Sequence, residues 1–426
     1  MKRFLALLLI SALCCLPHVL SADENELWCD YPPGPGAGAG KHIVLISGDE
    51  EYRSEEALPM LGKILAQRHG YRCTVLFAIN PETGEIDPNN QNNIPGLDKL
   101  NDADLVIMAL RFRCLPDEQM KYFDEYLMSG RPIIALRTST HAFRNSEEIE
   151  SSYPQYGGNR EWQGGFGKQV LGETWVNHHG HHGQQSCRGV VNEDLADHVL
   201  LRGVNDVWGP TDVYGIRELP DNSQVLLYGQ VIDGMLPEDE PVEGEQNDPM
   251  MPLAWTRTWN NDGGSGNAIF CTTMGAATDF ESAGLRRLVV NTAYQMTGLE
   301  TAITDSLNVD YVDPYEPTNF GFDGFRKSMR PVDYDLKAPP LVPPVSTQPL
   351  PPTAGVISGP VAQAGPVVMY GQSDCSSVYR GSPAVVLTPC HATPACSCCH
   401  QSCVTHGQTW PWQRRILRRR CGFGRR

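Results

Sequence analysis

The chain has 426 residues and a formal net charge of −16, from 34 basic and 50 acidic side chains. The charge is unevenly placed, because residues 331–426 hold nine Lys or Arg against three Asp or Glu and the rest holds the whole acidic excess. An acidic body lacks the positive surface that phosphate binding needs, which excludes nucleic acid as its main ligand.

The first 22 residues predict a secretory signal peptide. Lys2 and Arg3 precede an apolar run at residues 4–16, and Ser21 and Ala22 supply the small residues of a cleavage site. The run is shorter than the roughly 20 residues that a spanning helix needs, and no later segment is apolar enough to span. We therefore expect an exported protein, periplasmic or extracellular, without a membrane span.

Changes in composition mark the remaining boundaries. Residues 23–40 are polar and then rich in Pro and Gly, which predicts a flexible tether. Residues 41–300 have the pattern of one α/β domain, and residues 301–330 are interpreted as its C-terminal extension. Residues 331–426 are Pro-rich and then Cys- and Arg-rich, and they predict a disordered tail to which we assign no function.

Short apolar runs alternate with amphipathic stretches in the first half of the domain. Strands are predicted at residues 42–47, 73–79, 105–110 and 132–136, with helices between Ser54 and Gly70 and at residues 117–129. This alternation has the spacing of βαβ crossovers and predicts a mostly parallel, doubly wound sheet with helices on both faces. The second half is less regular, with strands predicted at 224–228, 253–258 and 268–273, a helix at 282–296 and a long loop at 151–183.

Charged side chains follow three of the predicted parallel strands. They are Asp49, Glu50 and Arg53 after the first strand, Arg111 and Arg113 after the third, and Arg137 and His141 after the fourth. Ligands of open parallel sheets bind at the carboxyl ends of the strands, so we expect these side chains to converge on one polar site. A single such side chain is ordinarily a solvated loop charge. Without ligand, Asp49 and Glu50 are the expected partners of Arg137.

The segment Asn177-His-His-Gly-His-His-Gly183 is a second candidate site. Four histidines in five positions suit a transition metal, but no Asp, Glu or Cys lies close by in the sequence to complete a ligand set. We assign no metal ligands and expect His178 and His179 to contact substrate. Three aromatic residues precede them in the same loop, Trp162, Phe166 and Trp175. They either stack on a sugar face or pack the loop itself.

The segment from Gly130 to Phe143, GRPIIALRTSTHAF, resembles the trehalose-utilisation (ThuA-like) family. Similar motifs follow at residues 198–204, 211–214, 252–257, 270–275 and 279–280. The resemblance implies the flavodoxin-like fold of the class I glutamine amidotransferases. Those enzymes place a nucleophilic cysteine where this chain has Arg137, which cannot attack a carbonyl. Amidotransfer by a Cys–His pair is therefore not expected.

The resemblance also implies a function in carbohydrate utilisation, and we expect an enzyme that acts without a cofactor on a sugar or an oxidised (keto) sugar derivative. His141 is the predicted acid/base group, with Asp49 or Glu50 assisting. The predicted ligand-binding residues are Arg53, Arg111, Arg137, His178, His179, Asp212 and Tyr214, of which Arg111 and Arg137 hold a charged or carbonyl oxygen and Asp212 and Tyr214 bind hydroxyls.

Two alternatives stay open. One is a non-catalytic carbohydrate-binding domain on the same scaffold, which would tolerate Gln at position 141. The other is a metal-dependent hydrolase centred on residues 178–182.

Overall fold

A computed structural model describes residues 27–261, 264 and 266–337. The predicted signal peptide and residues 338–426 lie outside the described residues. The described strands are β1 (Trp28–Tyr31), β2 (His42–Gly48), β3 (Arg72–Leu76), β4 (Leu105–Leu110), β5 (Ile133–Leu136), β6 (Ser186–Val191), β7 (Val207–Gly209), β8 (Gln224–Ile232), β9 (Met251–Asn260) and β10 (Gly266–Thr272). The longer helices are α1 (Ser54–His69), α2 (Asp117–Met128) and α3 (Ala283–Met296).

Five strands form a parallel block in the order β3–β2–β4–β5–β10. Their near-continuous apolar sequences suit burial on both faces, as parallel strands require. Every residue of β2, β4 and β5 is buried. The predicted strands of the first half and the helices between them are thus confirmed, with ends shifted by a few residues.

The rest of the sheet is antiparallel. Strands β9, β8, β6 and β7 continue from β10 in that order, and β1 pairs antiparallel with β3 at the opposite edge. The mostly parallel sheet predicted from the sequence is therefore a mixed ten-stranded sheet. Strands β1, β6 and β7 were not predicted. β1 and β7 are edge strands of four and three residues, and strands this short carry little hydrophobic periodicity.

Helices cover both faces of the sheet. Ile43 and Leu45 of β2 point to the face that buries α1 and α3, while Val44 and Ile46 point to the face that buries α2. This alternation follows from the two-residue period of a strand. The helix ends also follow the sequence: Gly70 ends α1 in the left-handed conformation with φ 81°, and the Ser282 hydroxyl caps α3 by accepting from the Leu285 N–H.

The tether predicted at residues 23–40 is wrong for its described part. Residues 28–31 form β1, and the glycines that follow pack closely instead of supplying flexibility. A Cβ on Gly38 would lie 2.7 Å from the ring of Tyr71, and one on Gly36 would lie 2.1 Å from the backbone of His69. Glycine is needed there because the chain crosses directly over the end of α1.

The C-terminal extension returns along α1 toward the carboxyl ends of the parallel strands. Lys63 pairs with Asp313 at 2.6 Å, and the Thr318 N–H and hydroxyl donate to Glu56. The extension continues past the predicted boundary at residue 331. Pro331–Tyr334 forms a helical turn on β1, where the Tyr31 hydroxyl donates to the Tyr334 carbonyl at 2.7 Å. Residues 331–337 therefore belong to the domain and not to the predicted tail.

Among the helices of residues 27–261 and 266–337, none is long and apolar enough to cross a membrane.

Candidate functional site

Asp49 shapes the turn after β2. Its Oδ1 accepts hydrogen bonds from the N–H groups of Glu51 and Tyr52 at 2.8 and 3.0 Å, and its Oδ2 accepts from the hydroxyl of Thr138. The residue is only 2% exposed. Because both oxygens are occupied and buried, Asp49 joins two turns at the sheet edge, and the predicted assistance in proton transfer is corrected to a structural role.

Glu50 is committed to two guanidinium groups. It pairs with Arg111 and, through Oε2, with Arg113 at 2.7 Å. Arg113 is fully buried and also donates to the carbonyls of Pro88 and Asn90. Removing Glu50 would leave the buried Arg113 without its ion-pair partner, so Glu50 balances charge here, and its predicted assistance to His141 is corrected to this role.

Arg53 ties the turn after β2 to the C-terminal extension. Its backbone is left-handed with φ 60°, and its guanidinium donates to the carbonyls of Glu51 and Gly321 and to the Thr318 hydroxyl. The residue is 1% exposed, so the ligand contact predicted for Arg53 is not available.

Arg137 follows β5 in a left-handed conformation, φ 39°, and is buried. Its guanidinium lies between two aromatic rings, 4.1 Å from the centroid of Tyr52 and 4.4 Å from that of Tyr214. It donates to Oδ1 of Asp212 at 3.0 Å and to the Thr273 carbonyl at 2.8 Å. The expected pairing with Asp49 or Glu50 is thus replaced by Asp212, and the guanidinium has no surface for a ligand.

Asp212 is the centre of the site. Its side chain has no exposed surface, and it contacts His178 Nδ1 at 2.6 Å through Oδ2 and His182 Nδ1 at 3.0 Å through Oδ1. Burial alone would raise the pKa of Asp212, but these hydrogen bonds and the charge of Arg137 hold that pKa well below its usual range. We call His178, His182 and Asp212 the histidine cluster.

Backbone hydrogen bonds hold the histidine loop over Asp212. The His179 N–H donates to the Val213 carbonyl at 2.8 Å, and the Gly215 N–H donates to the Asn177 carbonyl at 2.9 Å. A Cβ on Gly180 would lie 3.3 Å from the Cβ of Asp212, so this glycine permits the close approach. The loop is therefore fixed by main-chain contacts although its imidazoles reach solvent.

Three of the predicted ligand contacts are not available in this arrangement. The carboxylate of Asp212 is enclosed by its partners, and Tyr214 is 1% exposed beneath Arg137. His179 directs Nε2 to the Gln246 carbonyl at 2.8 Å, away from the cluster's carboxylate. Of the predicted site residues, His141, His178 and Arg111 keep accessible surface at the strand ends.

His141 is partly buried in a group of rings. Its ring centroid lies 4.8 Å from that of Phe112, 5.7 Å from that of Trp175 and 6.4 Å from that of Tyr214. Burial lowers the pKa of His141 well below its usual value, and the charges of Arg111, Arg137 and His178 add to this effect. The imidazole is therefore neutral at neutral pH. Nδ1 lies 3.1 Å from the Thr140 hydroxyl, which leaves Nε2 for a ligand.

The same rings connect His141 to the histidine cluster. His178 lies 5.5 Å from Trp175 and 5.7 Å from Tyr214, and its ring is 4.7 Å from that of His182. His182 in turn contacts Phe320 at 5.4 Å. A continuous series of rings thus runs from Phe112 to the C-terminal extension.

Arg111 borders this series on one side. Its guanidinium lies over the rings of Phe112 and Phe322, at 4.8 and 5.0 Å, and its side chain is 17% exposed. Besides Glu50 it approaches Glu51, whose other oxygen lies 3.5 Å from Nε2 of His182. Charges at the site are therefore paired, and no unpaired guanidinium is accessible among the predicted arginines of the described site.

Of the three aromatic residues in the loop, two pack the loop itself and one lies at the site. Phe166 is buried with Phe123 and Tyr156, and Trp162 packs on Tyr156 and Trp259. Trp175 alone lies at the site.

Sequence reasoning missed several residues of the site. Glu51 and Tyr52 directly follow the predicted Asp49 and Glu50, and nothing in the sequence spacing marks them as site residues. Phe320 and Phe322 come from the extension, where the sequence has no periodic pattern. The proximity of Asp212 to His178 and His182 was also missed, because 30 or more residues separate the acid from either histidine.

No family model matches the sequence, and no curated protein does. Among solved structures, the chain is similar to a ThuA-like protein from Parabacteroides merdae, with 15% identity, a TM-score of 0.40 and coverage of 66% of this chain and 97% of that one. It is also similar to PurLQS from Thermotoga maritima (11% identity, TM-score 0.32, coverage 60% and 99%) and to the mmIFT52 N-terminal domain (12%, 0.31, 60% and 97%). Likeness at these scores carries no argument about function, which must rest on the site.

Proposed function

We propose that the chain is an enzyme of carbohydrate utilisation that acts on a sugar or a keto-sugar, with His141 as its acid/base group. The observation that carries the proposal is the position of His141. A neutral, partly buried imidazole lies within one group of rings with Trp175 and the histidine cluster, at the carboxyl ends of parallel strands.

The ring series supports a sugar as the ligand class. The C–H face of a pyranose packs on aromatic rings, while its hydroxyls need a few placed polar groups at the edge. Trp175 supplies a ring with the accessible His178 beside it, and Arg111 supplies another accessible polar group over the ring of Phe112.

The charge balance of the site narrows the class of ligand further. Arg137 is neutralised by Asp212, and Arg111 and Arg113 are balanced by Glu50 and Glu51. A site without a free cation gives little attraction to a carboxylate, so a neutral sugar or keto-sugar fits better than a sugar acid.

The role of His141 follows from its environment. A neutral imidazole can accept a proton at Nε2 from a hydroxyl, or from the carbon next to a ketone, and return it to another atom of the same substrate. Burial, and after it the nearby guanidinium groups, lowers the pKa of His141 and disfavours a protonated imidazole in the resting site, so the histidine begins as the base.

The test compares wild-type protein with His141→Gln against a panel of disaccharides and their keto derivatives. Binding is measured by titration calorimetry, and proton exchange or product formation by NMR in D₂O. We expect His141→Gln to reduce turnover by about 100-fold or more while binding changes by a few-fold. His181→Gln, an exposed histidine of the adjacent loop, is the matched control and should leave both unchanged.

Two results would contradict the proposal. Equal turnover in wild type and His141→Gln would remove the acid/base role. Sugar binding without turnover, retained in His141→Gln, would instead identify a non-catalytic carbohydrate-binding domain.

A further inference from the structure

We propose that the histidine cluster binds one divalent transition-metal ion of the zinc type. The inference goes beyond the proposed function, since it does not depend on a sugar. The donors are two imidazoles and one carboxylate, and each contributes an atom that lies within 4.8 Å of the other two. Two nitrogens and one oxygen form a donor set that suits zinc, cobalt or nickel better than calcium or magnesium.

The donor atoms are already gathered around one carboxylate. His178 Nδ1 and His182 Nδ1 lie 2.6 and 3.0 Å from different oxygens of Asp212. In the metal-free state two imidazole N–H groups donate to this carboxylate. A metal ion would take the place of those two protons, with each ring then carrying its proton on Nε2, and the separations would widen slightly to those between ligands of one ion.

The cluster is rigid on its carboxylate side. Arg137 donates to Oδ1 of Asp212 and leaves Oδ2 for an ion. The neighbouring Thr211 is held by the fully buried Asp279, which accepts the Thr211 hydroxyl at 2.8 and 2.9 Å and the N–H groups of Gly275 and Ala276. Supporting contacts of this kind fix a ligand's orientation before the metal arrives.

The imidazoles keep the access that an incoming ion needs. The side chains of His178 and His182 are each 35% exposed, although the backbone of their loop is pinned to residues 213–215. Glu51, 3.5 Å from Nε2 of His182, adds a carboxylate that offsets part of the charge of a divalent ion. Three protein ligands leave a further position open, as in catalytic rather than structural zinc sites.

The same loop supplies matched controls. His179 is engaged by the Gln246 carbonyl, and His181 offers no atom to the cluster. A histidine-rich loop that chelated metal unspecifically would use all four histidines. A defined site at the histidine cluster uses only His178 and His182 of this loop.

The experiment titrates Zn²⁺ into chelator-treated, full-length protein by calorimetry, and Co²⁺ by absorption spectroscopy, with no sugar present. Wild type should bind one equivalent more than His178→Ala or His182→Ala, or bind that equivalent at least about tenfold more tightly. His179→Ala and His181→Ala should match wild type. The Co²⁺ bands that depend on His178 should lack thiolate charge transfer, which separates this site from any binding by cysteines.

Equal stoichiometry and affinity in wild type and His178→Ala would overturn the proposal, provided that both unfold at the same temperature. So would an equal loss in His181→Ala, because that result would indicate unspecific chelation by the loop. Either failure leaves the sugar proposal intact, since that proposal is tested separately through His141→Gln and does not require a bound metal.

Discussion

Arg137 keeps its positive charge in a place that water hardly reaches, between two tyrosine rings and against Asp212. Breaking a buried ion pair by removing one partner leaves the other as an uncompensated charge, which is far more costly than losing an exposed pair. Removing either charge of this pair should therefore destabilise the turn after β5.

Arg137→Met retains much of the side-chain stem and removes the charge. We expect the free energy of unfolding to fall by about 3–5 kcal/mol, because Asp212 stays buried with its main counter-charge gone. Urea unfolding of wild type and variant measures the change. Arg111→Met, at the exposed side of the site, is the comparison and should cost clearly less. An unchanged stability with lost sugar binding would restore the ligand role predicted for Arg137.

Glu55 is a buried ionisable residue in the first turn of α1. It is 2% exposed, and neither carboxylate oxygen has a hydrogen-bond partner among the described residues. Burial raises the pKa of Glu55 to about 8, well above its ordinary value. Above the ordinary pKa the unfolded chain releases this proton while the folded chain keeps it, so stability is lost as pH rises toward 8.

Glu55→Gln cannot ionise and should abolish that loss. We expect the variant to gain stability over wild type as pH rises from 5 to 8, by about 1–3 kcal/mol at the upper end. Denaturant unfolding at several pH values gives the difference, in which other titrating groups cancel. The exposed Glu147→Gln should show no such trend. A constant difference across this range would mean that Glu55 is ionised throughout.

Among the secondary-structure elements, those with a clear hydrophobic pattern in the sequence were predicted best. The buried strands β2, β4 and β5 were predicted with bounds almost as observed, since a short run of consecutive apolar residues is typical of a strand buried on both faces. β1 was missed because its four residues precede a Gly- and Pro-rich segment, and that composition is typical of both flexible chain and close packing. Local composition alone does not separate those two cases.

The turn formed by Pro331–Tyr334 tests where the domain ends. It covers β1 through hydrogen bonds from the Cys29 thiol to the Pro331 carbonyl and from Tyr31 to Tyr334, and Tyr334 stacks on Phe77. Deleting residues 338–426 should change the free energy of unfolding by less than about 1 kcal/mol. Deleting 331–426 should cost about 2 kcal/mol or more.

Thermal and urea unfolding of the two truncated proteins and the full chain make this comparison. Equal stability of both truncations would mean that the turn contributes nothing. A large loss in the shorter deletion would mean that residues beyond 337 stabilise the domain.

For the whole molecule, the strand-end location of the site could be predicted and its chemistry could not. Parallel topology brings Arg111, Arg137 and His141 to one edge whatever their partners are. Partner choice depends on distant segments: Asp212 reaches Arg137 from a loop 75 residues away, and Gly321 reaches Arg53 across 268 residues. Pairings between such distant residues produce no recurring pattern in a single sequence, so they could not be predicted from it.

Export is predicted from the first 22 residues of the sequence. The order of charged, apolar and small residues in this segment predicts cleavage near Ala22, a few residues before β1 begins at Trp28. N-terminal sequencing of protein secreted by an expression host should therefore start at Ala22 or Asp23. Secreted material that still begins at Met1 would contradict this.

The contact between β1 and the Pro331–Tyr334 turn has one more consequence. The first and last described segments lie against each other, since the Cys29 thiol contacts the Pro331 carbonyl at 2.9 Å. The two ends of the described domain are therefore close together. A short linker from residue 337 to residue 27 could close it, with new ends opened at the exposed Gly244, where a Cβ would meet nothing within 4 Å. Such a circular permutant should melt within about 5 °C of the chain that ends at residue 337. The same sheet would then form although its strands follow one another along the chain in a different order.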